Sequence, residues 1–358
     1  MALSYEGLNV PLIGTIHTKS SLRPTLTMVP HTLSRSRLLY IGVMLLLSWS
    51  FVSCDKCIYE DLSSCPLRVQ LRYDYNMQYV DRWHREAEDV HLYVFDEAGR
   101  FVSEMINAAA PYEEKQTFEL QLAPGNYTIM ALCGHRMGAL YKESKLQVGT
   151  STMQDLLVEI SRTEDKRIAT ELPPLLYGVS KEVKVQGDGS RLIVVPMAKW
   201  TNKIRLVMQD LSEGGKSNIK IDNYDFRITA PNGRYNGAGE VLTDDLLTYT
   251  PYYAEQLKGS GGIAVELNTL RLLTNQKQRL IITERATGKE LLNVDLLSLL
   301  LQTKFYANNK LSDQEFLDRE DRYAIIFAFD GRPVTQETFL AVSVWINGWL
   351  IREQDHNI

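Results

Sequence analysis

The chain has 358 residues, with 39 basic against 44 acidic side chains and a formal net charge of −5. That balance argues against a nucleic-acid partner, which needs a basic face to hold phosphates.

In chain order the first informative segment is Leu38 to Cys54. Arg35 and Arg37 precede a run of mainly apolar residues, and Phe51-Val-Ser53 leads into Cys54. A short basic stretch, an apolar stretch and a small residue before the cut describe a secretory signal. The cysteine at the cut gives it the form of a bacterial lipoprotein signal, although Phe51 stands where such signals usually carry leucine. On this reading Cys54 is lipidated on sulfur, becomes the new N-terminus and holds the mature chain to a membrane by acyl chains, each buried methylene contributing about 0.8 kcal/mol. The alternative is an uncleaved transmembrane helix. The apolar run, about 15 residues, falls short of the roughly 20 that a spanning helix needs, and no basic stop-transfer block follows it. Residues 1–27 are neither basic nor continuously apolar, and Met28 opens a well-proportioned signal, which makes Met28 the expected start. Residues 1–53 are therefore set aside. They carry four basic residues (Lys19, Arg23, Arg35, Arg37) and one acidic (Glu6), which leaves 35 basic against 43 acidic and a formal charge of −8. The mature chain, 358 minus 53 or 305 residues, has room for two ordinary domains.

Residues 54–66 read as a lipidated linker. Cys57 and Cys65 lie in a secreted context that permits a small disulfide loop, and two free thiols are equally open. Cys133, within Ile129-Met-Ala-Leu-Cys133, reads as a buried free thiol in an apolar strand. A zinc site at Cys54 and Cys57 would consume the lipidation cysteine, and no second pair follows at metal spacing.

From Leu67 onward the chain reads mostly as strand. Leu67, Val69, Leu71, Tyr73 and Tyr75 alternate with polar residues, the period of a half-buried strand. Val90, Leu92 and Val94 give a second strand whose other face carries His91, Tyr93 and Phe95, so that both faces are expected to be covered. Phe118 to Leu122 gives a third, Pro124-Gly-Asn126 a turn, and Tyr127 to Ala131 the returning strand, together a meander. Residues 181–186 and 191–197 flank a Gly187-Asp-Gly189 hairpin turn. Further strands are expected at 203–209 (ending at Gly214-Gly215), 219–229 (before a turn at Asn232-Gly233) and 279–284. The last expected pair is 323–329 and 340–346, with Asp330-Gly-Arg-Pro333 between them. Helices are few: one or two turns within Asp81–Asp89, a short buried helix or a strand pair over Glu290–Leu301, and Ser312–Asp321, where Ser312 and Glu315 form a capping box. Many short strands between turn signals point to an all-β chain of two β-sandwiches, with a boundary near residue 200 that gives domains 67–200 and 201–358.

No serine-hydrolase, zinc-protease, Walker or dinucleotide motif is present, so no catalytic residue, cofactor site or metal site is expected. The mature chain has four scattered histidines (His84, His91, His135, His356), each read as packed or solvated. Asp222 and Asp225 lack calcium-loop spacing, and the pairs Asp244-Asp245 and Glu113-Glu114 read as surface charge. Tyr249, Tyr252 and Tyr253 around Pro251 are either a sugar-stacking platform or, preferably, loop packing.

Three stretches carry a resemblance to a known family. They are Cys57-Ile-Tyr-Glu-Asp-Leu-Ser-Ser-Cys65-Pro66 running into the Leu67–Tyr75 strand and Asn76-Met77; Val90-His-Leu-Tyr-Val-Phe-Asp96 with Gly99-Arg-Phe101 and Leu122-Ala-Pro-Gly125-Asn-Tyr127; and Val344-Trp-Ile-Asn-Gly-Trp349-Leu-Ile-Arg352. In this order and spacing the chain resembles the FimB/Mfa2 family of fimbrial anchor subunits of Bacteroidales-type bacteria. The resemblance implies two tandem transthyretin-like β-sandwich domains with few short helices. It also implies an outer-membrane lipoprotein, lipidated at Cys54, that anchors a fimbria (pilus) and limits its length. Its partners would be pilin subunits, one of which would donate a strand, and membrane lipid. A surface carbohydrate-binding or adhesive lipoprotein is the alternative, and a hydrolase stands behind both because it needs a paired-carboxylate or metal cleft.

Overall fold

The computed structural model describes residues 66–134, 139–186, 191–212, 219–258 and 261–352. Cys54, Cys57, Cys65, His135, His356 and the glycine turns at 187–189 and 214–215 lie outside the described residues. The fold is all-β with few short helices, as expected. Up to residue 199 the strands are β1 (Leu67–Arg72), β2 (Val90–Asp96), β3 (Phe101–Asn107), β4 (Thr117–Leu120), β5 (Gly125–Gly134), β6 (Tyr141–Glu143), β7 (Leu157–Ile160), β8 (Arg167–Ile168), β9 (Leu175–Val185) and β10 (Leu192–Lys199). One helical turn, α1 (Trp83–Glu86), drops Trp83 into the core against Tyr112 and Phe118.

These strands do not form the expected meander. The order in the largest sheet is β3-β2-β5-β9-β10-β1-β4: β1 pairs antiparallel with β4 and parallel with β10, while β2 lies between β3 and β5. Pro124 makes the bend, but Gly125 already pairs with Val185, so β5 starts within the expected turn. β3 was not foreseen, because only Phe101 is fully buried in it and its polar residues break the alternation. β9 begins at Leu175 rather than 181, since Leu175 and Leu176 are both buried and show no period. Leu67, Val69, Leu92, Val94, Ile129, Val183 and Val195 close one core between the β1 and β2 sides of this sheet. Tyr93, Phe95, Met130 and Leu132 on the opposite face enter a second core, so β2 is covered on both faces as expected.

Beyond residue 200 come β11 (Asn202–Asp210), β12 (Tyr224–Ala230), β13 (Arg234–Asn236), β14 (Leu247–Tyr249), β15 (Tyr253–Leu257), β16 (Gly262–Thr269), β17 (Arg279–Glu284), β18 (Glu290–Asp295), β19 (Arg322–Phe329), β20 (Ser343–Ile346) and β21 (Trp349–Arg352). A six-stranded sheet, β15-β16-β11-β19-β20-β21, and a five-stranded sheet, β18-β17-β12-β14-β8, share the second core. β11 pairs parallel with β19, as β1 does with β10. The helices here are α2 (Leu296–Leu301), α3 (Lys304–Asn308), α4 (Asp313–Arg319) and α5 (Gln336–Ala341). Glu290–Leu301 is thus a strand followed by a buried helix, with Asp295 as N-cap accepting from Ser298 N at 2.7 Å. Ser312 caps α4 as expected, accepting from Glu315 N, while the Glu315 carboxylate pairs with Arg319 instead of turning back. The strand expected from Leu340 is corrected: Thr335 caps α5, and Leu340 is exposed on that helix. Only from Ser343 does a strand follow.

Residues on either side of position 200 interlock. A three-stranded sheet, β13-β7-β6, joins residues 141–160 to 234–236, and β8 pairs parallel with β14. Trp200 is stacked between Tyr177 (ring centroids 4.3 Å) and Tyr235 (4.6 Å), with Arg271 over it. Beside it the buried Lys199 ammonium donates to Glu86 at 2.8 Å and Asp321 at 2.5 Å.

Candidate functional site: sheet edges and exposed aromatic residues

A sheet edge carries unpaired backbone groups, and its side chains decide whether it repels or admits another strand. The two edges of the six-stranded sheet differ. β15 is dressed in charge: Arg205 from β11 donates to Glu255 and to Glu266 at 2.6 Å each, and Tyr253 donates to Glu255. β21 is dressed in apolar surface. The chain reaches it through a tight turn in which Asn347 (φ 50°) and Gly348 (φ 84°) both take left-handed conformations, the preference of a two-residue hairpin. The turn sets Trp349 and Leu350 on the edge, both more than 40% exposed. Trp349 stacks on Tyr306 of α3 at 5.0 Å, and Phe305 meets Tyr306 edge-on at 5.4 Å and, at 72%, is the most exposed aromatic ring among the described residues. On the same helix Asn308 donates to the Tyr79 hydroxyl. Tyr79 and Tyr75 flank the Arg319 guanidinium at 4.8 and 4.1 Å. An aromatic strip therefore runs from Tyr79 across α3 to Trp349. Exposed apolar groups gathered in this way mark contact surfaces.

The tyrosines weighed as a sugar platform are separated. Tyr249 is buried and donates to Asn232 Oδ1 at 2.7 Å, Tyr252 donates to Glu266, and only Tyr253 is exposed. The acidic pair Asp244-Asp245 is held by Arg162 and Lys166, and Asp225 by Arg285. Glu113 and Glu114 are exposed, and Asp222 lies in the middle of a short 3-10 turn, Ile221–Asn223. Cys133 is a buried free thiol whose pKa burial pushes up, against the Trp83 side chain, which pulls it down. The expected lipidation residue Cys54 and the possible disulfide partners Cys57 and Cys65 are outside the described residues. Among those residues no helix is long and apolar enough to cross a membrane. The structure does bring together His91, Glu104 and Glu143, which no motif in the sequence links.

Residues 62–355 match the family described as Fimbrillin-A associated anchor proteins Mfa1 and Mfa2. The minor fimbrium anchoring subunit Mfa2 of Porphyromonas gingivalis is 24% identical over 344 residues, which cover 90% of this chain and 96% of that one. Among solved structures, a candidate polysaccharide-binding protein from Bacteroides thetaiotaomicron is 33% identical, with a TM-score of 0.73, over 82% of this chain and 100% of the other. The fimbrial anchor protein Mfa2 from Porphyromonas gingivalis superposes with a TM-score of 0.61 at 21% identity, over 81% of this chain and all of its own, a likeness of fold. With most of its length matched, the chain belongs to the family of Fimbrillin-A associated anchor proteins.

Proposed function

We propose that this chain is an outer-membrane lipoprotein that anchors a fimbria to the cell surface and limits its length. The observation that carries the reading is the family match over residues 62–355, together with a relative, named as the anchoring subunit of a minor fimbrium, that aligns over 96% of its length. The signal before Cys54 supplies the tether: acyl chains on that cysteine hold the chain to lipid while the domains, taken as 67–200 and 201–358, reach the pilin. A donated pilin strand satisfies the backbone groups of an open sheet edge, and a tethered acceptor ends growth at the membrane. The apolar β21 edge is in keeping with this role.

A second reading, a surface polysaccharide-binding or adhesive lipoprotein, is favoured by the 33% identical relative from Bacteroides thetaiotaomicron. One experiment separates the two. In the native cell, Cys54→Ala should release the protein from the membrane fraction, and electron microscopy should find fimbriae shed into the medium or grown longer. Release of the protein with fimbriae unchanged in number and length would refute the anchor role and leave glycan retention on the purified chain to be measured for the second reading.

A further inference from the structure

The side chains of His91, Glu104 and Glu143 converge at one edge of the first sheet. His91 on β2 lies opposite Ile106 of β3, and Tyr93 lies opposite Glu104, so His91 and Glu104 are diagonal neighbours on the same face. β6 brings Glu143 onto that face from the three-stranded sheet. His91 Nδ1 faces Glu143 Oε2 at 3.5 Å and Glu104 Oε1 at 3.6 Å, and the three donor atoms lie within 4.8 Å of one another. His91 is 9% exposed. Its Nδ1 is buried without a hydrogen bond, and so is Glu143 Oε1.

We propose that His91, Glu104 and Glu143 form a binding site for a divalent transition-metal ion of the zinc class. Ligands about 2.0–2.1 Å from a tetrahedral ion stand roughly 3.3 Å apart, so the two His91–carboxylate separations need to shorten by only a few tenths of an ångström. Glu104 is exposed and free to swing inward, which leaves the fourth position to water from the solvent side. An imidazole ligand selects a transition metal over calcium or magnesium. The surroundings have the character of an outer shell. Tyr93 donates to Glu143 Oε2 at 2.6 Å and orients it, and Asp89, anchored by Gly134 N–H at 2.7 Å, stands 3.9 Å from His91 Nε2. With a neutral imidazole, three carboxylates share this small region, and a divalent cation offsets most of that charge. The ion would clamp β6 onto β2 and β3.

The test is calorimetric titration of the chelator-treated full chain, free of any affinity tag, with zinc chloride. One saturable site is expected, lost in His91→Ala and weakened about tenfold or more in Glu104→Gln, an exposed position whose substitution leaves the core untouched. Absence of a saturable site in the wild-type chain, or wild-type affinity in Glu104→Gln, would overturn the proposal. Should His91→Ala fail to fold, Glu104→Gln decides it.

Discussion

Three acidic residues at the end of α4 have different partners. Asp318 accepts both arms of Arg271 at 2.8 and 2.7 Å, the geometry in which a carboxylate and guanidinium offset most of each other's desolvation. Asp321 accepts from Lys199. Glu320, half-buried between them, accepts at 3.3 Å from the Arg322 backbone N–H and has no cationic partner of its own among the described ion pairs. Burial, opposed by that backbone contact and reinforced by the Asp321 charge, pushes its pKa from 4.5 up to about 7. The sign follows from linkage. The unfolded chain releases this proton near 4.5 and the folded chain keeps it to about 7, so stability falls as pH rises across that window and the cost is complete above it. Glu320→Gln, which keeps the acceptor and removes the charge, should match wild type near pH 4.5. At pH 8 it should be more stable by about 1–2 kcal/mol, the shift being discounted for partial exposure. Urea unfolding of both proteins at the two pH values checks this, and equal stability at pH 8 would show that Glu320 is adequately solvated.

At the scale of elements, β10 changes partners partway along. Its first part pairs with β1 as far as Arg72 opposite Pro196, and from Met197 opposite Gly178 it pairs with β9. Pro196 has no N–H to place in a ladder, which suits a handover point. Gly178 lets β9 approach closely, since a Cβ there would lie 2.4 Å from the Pro196 carbonyl oxygen and 2.5 Å from Met197 Sδ. Gly178→Ala is therefore expected to cost about 1–3 kcal/mol by overpacking, measured as a lowered denaturant midpoint at unchanged slope. An unchanged midpoint would mean that the two strands separate freely here. Such handovers are illegible in sequence. Period two reveals a strand with one buried face, which is why β1 and β19 could be read closely, but nothing local records that β1 lies beside β10 instead of β2. β3 escaped because the face that carries Glu104 is open to solvent. Two signals were available and unread: Thr335, which caps α5, and Asn347-Gly348, the strongest kind of short hairpin marker. The His91 cluster had no such marker, since β2, β3 and β6 supply one residue each and only the tertiary fold unites them.

At the scale of the molecule, the two halves of the chain share structure that ordinary tandem domains keep separate. The sheet β13-β7-β6 and the β8–β14 pair each draw strands from both sides of position 200, and one continuous core runs from Tyr93 and Phe95 to Phe327 and Phe339. Trp200, 1% exposed, stands at the crossing with Tyr177 on one face and Tyr235 on the other. Neither half can open without exposing core of the other. The expected consequence is cooperative unfolding as a unit, although chains of this length often unfold in steps. Far-UV circular dichroism and tryptophan fluorescence should trace one urea transition, since Trp83 reports on the first core and Trp345 on the six-stranded sheet. Trp200→Ala removes a fully buried ring from the junction, at a cost of about 3–5 kcal/mol. It should move that single transition as a whole to lower urea. Two separate transitions in the wild-type chain, or a shift in only one probe on substitution, would mean that the halves fold independently and that the shared core transmits little between them.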